Sequence, residues 1–62
     1  MVPVNTFELR EGHRVEMLLG MATVRYVTPD KAGGYIVGLR YEDGAVHAVR
    51  NVEAGTIWHV EL

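Results

Sequence analysis

The sequence predicts a small all-β domain, and three observations carry that prediction. Apolar residues alternate with polar ones over several short runs, the period of strands with one buried face. Glycines, prolines and aspartates fall between those runs at short intervals and mark turns. One of these breaks, Asp43-Gly44, is a dipeptide that favours a tight two-residue hairpin turn, where both central residues need positive φ.

Residues 1–5, Met-Val-Pro-Val-Asn, are expected as an extended tail, because Pro3 biases Val2 away from helix. Residues 6–12 admit two readings. They form one helical turn capped by Thr6 and ended by Gly12, or they start a strand on which Phe7 and Leu9 alternate. Residues 13–19 read as a strand with Val15, Met17 and Leu19 on one face, followed by a bend or bulge at Gly20. Residues 22–27 give a second strand, with Ala22, Val24 and Tyr26 opposed to Thr23, Arg25 and Val27. Residues 28–34, holding Pro29-Asp30 and Gly33-Gly34, are the clearest loop. Residues 35–42 carry the strongest alternation: Tyr35, Val37, Leu39 and Tyr41 against Ile36, Gly38, Arg40 and Glu42. After the hairpin turn, residues 45–51 return. Residues 53–55, Glu-Ala-Gly, turn tightly into a last strand that groups Trp58, Val60 and Leu62 against Ile57, His59 and Glu61.

A two-residue turn fixes the register of the central hairpin. Tyr41 is expected to face Val46, Arg40 to face His47, Leu39 to face Ala48, and Gly38 to face Val49. Tyr35, Val37, Leu39, Tyr41, Val46 and Ala48 then make a core face. Arg40, Glu42, Ala45 and His47 face outward, with Gly38 leaving a shallow spot beside Val49. Arg40 is expected to pair with Glu42 or Glu16.

Five short strands joined by turns suggest a small closed barrel, since closure removes exposed sheet edges. The order resembles that of SH3-like barrels. An opening segment of the type Phe-x-x-x-x-Gly-x-x-Val, here Phe7, Gly12 and Val15, leads into the first strand. A long second connection, a tight hairpin and a short turn before the last strand follow. The resemblance is one of fold pattern across most of the chain. It implies a five-stranded SH3-like barrel and assigns no site residues.

A chain of 62 residues makes one domain. Its folded surface is expected near 4,000 Å², with about 60% of the unfolded surface buried. Burial of that order contributes about 90 kcal/mol, and ordering the chain costs about the same. A fold so finely balanced gains from disulfides, metals or self-association. Disulfides are excluded, because the chain has no cysteine, and thiol chemistry and cysteine-ligated metals go with them. No apolar run reaches the length of a membrane span, and the N-terminus lacks the basic and apolar regions of a signal peptide. A cytoplasmic location is therefore expected.

Six basic and eight acidic side chains give a net charge of −2, which argues against a general nucleic-acid binder. His13, His47 and His59 have no metal-binding spacing, and no cofactor motif is present; Lys31-Ala-Gly-Gly34 lacks the strand–loop–helix context of a phosphate loop. The carboxylates are scattered, and a small barrel is filled by its own side chains, so catalysis is not indicated. An enzyme would need a site between subunits, lined by copies of His47, Tyr41 or Trp58. The leading expectation is a protein-interaction or regulatory module that self-associates. Leu18, Val27, Ile36, Val49 and Ile57 are apolar residues on faces assigned outward, and the expected contact surface is Ile36, Arg40, His47, Val49 and Ile57. The alternative is a nucleic-acid-binding barrel using Arg25, Arg40, His47 and Arg50, with Tyr26, Tyr35 and Tyr41 as stacking candidates.

Overall fold

The computed structural model describes all 62 residues. It shows a small all-β domain. The elements are β1 (Val2–Asn5), a single 3-10 turn (Thr6–Glu8), β2 (Arg14–Met17), β3 (Gly20–Pro29), β4 (Tyr35–Tyr41), β5 (Val46–Val52) and β6 (Ile57–Glu61). All six strands belong to one antiparallel sheet in the order β1-β6-β2-β3-β4-β5.

This order forces the sheet to curl. In a flat sheet β5 and β6 would lie four strand spacings apart, about 19 Å. Only residues 53–56 connect them, so Val52 and Ile57 are five Cα–Cα steps apart and reach about 17 Å when extended. Those residues are instead folded into a turn, with Thr56 N–H donating to the Glu53 carbonyl at 3.1 Å. The curled sheet wraps one core of Leu9, Val15, Ala22, Val24, Val37, Leu39, Val52, Trp58 and Val60. The accessible surface is 4142 Å², as expected for this length. No ladder joins β1 to β5, so these two strands are the edges of the sheet.

The sixth strand comes from the segment expected as a tail. It is extended, and it pairs with β6 through Val2–Val60, Pro3–His59, Val4–Trp58 and Asn5–Ile57. Pro3 is tolerated because β1 is an edge. Of the two readings of residues 6–12, the structure adopts a short helical turn. It begins after Asn5, whose backbone N–H and side-chain amide both donate to the Glu8 carboxylate. Thr6 is buried instead. Its backbone N–H donates to the Thr56 carbonyl at 3.0 Å, and its hydroxyl accepts the Trp58 indole N–H at 2.8 Å. That anchorage leaves Phe7, the next residue, 53% exposed.

The central hairpin lies where it was expected, but its loop has three residues. Tyr41 N–H donates to the Ala45 carbonyl, Gly44 N–H donates to the Tyr41 carbonyl, and Gly44 has φ 91°. This is a tight turn followed by a left-handed glycine, the next most common hairpin solution. The Asp43 carboxylate supports it by accepting Ala45 N–H at 2.9 Å. The extra residue moves the register by one: Arg40 faces Val46, Leu39 faces His47, Gly38 faces Ala48 and Val37 faces Val49. A one-residue slip exchanges the faces of a strand. Val46 and Ala48, expected in the core, are exposed; Val49 packs against the core. Two bulges complete the pattern. One sits at Arg25 in β3, between the Val24–Leu39 and Tyr26–Gly38 pairs. The other lies opposite Ile36 in β5, where Asn51 takes φ 54°.

Candidate interaction surfaces

The bulge at Arg25 breaks the alternation of β3. Before it, Ala22 and Val24 point to the core. After it, Val27 does so, paired with Val37, while Tyr26 turns outward over Gly38. Tyr26 was expected with Ala22 and Val24, and Val27 outward; the bulge reverses both. A Cβ on Gly38 would fall inside the Tyr26 ring, so only glycine lets the ring lie flat against the strand. Tyr26 is 40% exposed, and the Arg25 guanidinium lies over its ring, 5.8 Å from the centre. Two shallow depressions meet there. One is lined by Phe7, Arg10 and Tyr35, the other by Thr23 and Arg40, and both share Glu11, Arg25 and Tyr26.

A second surface lies at the opposite end of β3. The strand expected to carry Leu19 inward ends at Met17, and Leu18-Leu19 form the turn between the paired Met17 and Gly20. Leu18 is 99% exposed and Leu19 85%. Beside them runs a groove walled by Leu19, Met21, Tyr41, Ala45 and Val46, with Glu42, Asp43 and His47 at its polar rim. Val46 is 57% exposed.

The ion pairs are distributed unevenly. Arg14 bridges Glu42 at 2.5 Å and Glu61 at 2.8 Å, taking the partner expected for Arg40. Arg50 lies 3.5 Å from Asp30. Arg25 and Arg40 pair with no carboxylate, and the Arg10 guanidinium donates only to the carbonyls of Phe7 and Leu9. Asp30 is buried and structural. It accepts Ala32 N–H at 3.0 Å and Asn51 N–H at 2.9 Å, which hold its carboxyl below the ordinary value; burial opposes them and Arg50 assists.

The expected contact surface is therefore dispersed. Ile36 and Arg40 lie on the outer face of β4, whereas His47 and Val49 sit opposite Leu39 and Val37 on the other side of the sheet. Ile57 faces outward on β6, separated from β4 by β2 and β3. Of the four residues of the nucleic-acid alternative, Arg25 and Arg40 come together, while His47 lines the other groove and Arg50 turns to Asp30. Among the three residues considered for an inter-subunit site, Tyr41 and His47 share that groove, and Trp58 is buried and bonded to Thr6. No three His, Asp or Glu side chains converge as a metal site would require. No helix is long and apolar enough to cross a membrane. Comparison with known proteins places the chain in no family: no family model matches it, and no curated protein or solved structure does so.

Proposed function

We propose that the chain is a non-enzymatic interaction module that self-associates through its leucine turn and the groove beside it. The observation that carries this reading is the pair Leu18-Leu19, almost wholly in water next to an apolar channel. Single exposed apolar residues are ordinary; a contiguous set beside a groove marks a contact surface. The protruding leucines and the receiving groove belong to one surface, so a two-fold axis lets each copy seat its turn against the other. The fine energetic balance of so short a chain favours the same outcome, because association stabilises the fold by mass action. An interface of standard size buries about 600–800 Å² on each copy, a modest share of the 4142 Å² exposed here.

Sedimentation velocity from low to high micromolar concentration tests this. The wild type is expected to shift from monomer to dimer. Leu18→Ser with Leu19→Ser is expected to stay monomeric at every concentration. A wild type that remains monomeric at high micromolar concentration, or a double variant that dimerises unchanged, overturns the proposal.

A further inference from the structure

We infer that the outer face around Tyr26 binds single-stranded nucleic acid, with bases stacking on Phe7 and Tyr26 and phosphates held by Arg25 and Arg40. This site is separate from the leucine groove and does not rest on it. Charge is spread unevenly over the surface. Of six cationic side chains, Arg14 and Arg50 are held by carboxylates. Of the remaining four, Arg10, Arg25 and Arg40 all line the two joined depressions. A chain of net charge −2 thus keeps its unpaired arginines on one face. One carboxylate, Glu11, lies between the depressions; Glu8 is occupied by Asn5.

The aromatic groups supply the second half of the chemistry. Strands of unpaired bases are bound by a cationic track combined with exposed rings, because every base has a stacking face. Phe7 is held outward by the anchorage of Thr6, and Tyr26 by the bulge and by its seat on Gly38. Both platforms are therefore fixed before a ligand arrives, which lowers the ordering cost of binding. Arginine planes stack on bases as well, so Arg25, lying over the Tyr26 ring, presents its own guanidinium plane to a base. A purely acidic peptide would use the arginines and leave the rings idle, which is why a base-bearing polyanion fits better.

The test is fluorescence anisotropy of a labelled oligothymidylate about eight nucleotides long. Binding is expected at low salt, weakening as salt rises with a log–log slope of about −1.4 for two phosphate contacts. Phe7→Ala is expected to weaken binding about 5- to 100-fold at unchanged salt slope, the effect of losing one stacked base. Arg25→Gln and Arg40→Gln are each expected to reduce the slope by about 0.7. The leucine double variant is expected to bind as the wild type does. Amide shifts mapped on the wild type at low salt keep the test independent of variant folding. They are expected at residues 7–11, 25–27 and 38–40. Absence of binding at low salt overturns the inference. So do shifts centred elsewhere, equal affinity for inorganic polyphosphate, or a Phe7→Ala variant that binds undiminished.

Discussion

The two ends of the β3–β4 pair are built on opposite terms. At one end a glycine-bearing loop, residues 30–34, is tied down by polar bonds. Asp30 N–H donates to the Gly34 carbonyl at 2.9 Å, and the Asp30 carboxylate accepts N–H groups from its own loop and from the β5 bulge. Asn51, left-handed at that bulge, returns a hydrogen bond from its side chain to the Ala32 carbonyl at 3.4 Å. At the other end Leu18 and Leu19 protrude with neither a polar bond nor core contact to order them. One end is closed by a carboxylate that satisfies local backbone groups; the other leaves two leucines in water.

Breaking the closed end should have the largest effect. Asp30→Ala leaves the N–H groups of Ala32 and Asn51 without their acceptor and should lower Tm by about 10 °C or more, measured by circular dichroism. The same clasp predicts a pH dependence. The folded pKa of Asp30 lies below the ordinary 3.8, so its stabilisation is complete above that value. It is lost as pH falls through the lower folded value, and acid titration of Asp30→Asn should lack this component. Gly34→Ala, in the same loop, has an effect of similar size. Its φ is +68°, and a Cβ would stand 2.5 Å from the Val52 carbonyl oxygen, so a loss of about 2–4 kcal/mol is expected in chemical denaturation. Asn51→Ala, at φ 54°, should cost about 1–2 kcal/mol, and Asn51→Gly much less. The open end should give the smallest effect. Leu18→Ser with Leu19→Ser should change monomer stability by no more than about 0.5 kcal/mol, read in denaturant at low protein concentration, while abolishing the concentration dependence of sedimentation. A leucine variant as damaging as Asp30→Ala would erase the contrast between the ends.

The strand class and most strand positions were legible because alternation is a direct consequence of one buried face. Faces and loops were less so, and the reason is the same each time: a single residue of loop or bulge inverts every side chain beyond it. Asp43-Gly44 announced a hairpin, but the Asp43 side chain reaching Ala45 N–H accompanies a three-residue loop, and Val46 and Ala48 changed sides with it. Nothing local to Val24-Arg25-Tyr26 marks a bulge; only the outward Tyr26 and the glycine beneath it explain one another across the ladder. The pairing of β1 with β6 and the Thr6–Trp58 bond join opposite ends of the chain, beyond the reach of any local pattern. The Asp30 clasp had a readable half. An aspartate after proline with glycines following suggests a side chain bonding its own loop, whereas its bond to Asn51 required the fold.

The bulge at Arg25 also has a genetic meaning. Loss of the Arg25 codon would restore strict alternation along β3 and still leave the tyrosine outward over Gly38 and the following valine inward, because the bulged residue is the one without a partner. A one-codon change elsewhere in β3, with the bulge kept, would exchange the faces of the residues beyond it. Point substitutions adjust the strength of the outer face, and loss of Arg25 removes a cation from it, but a one-residue change elsewhere in the strand inverts it in a single step. The place of a length change within β3, more than the strand's composition, is therefore the quantity that would track gain or loss of this surface among descendants of the same sequence.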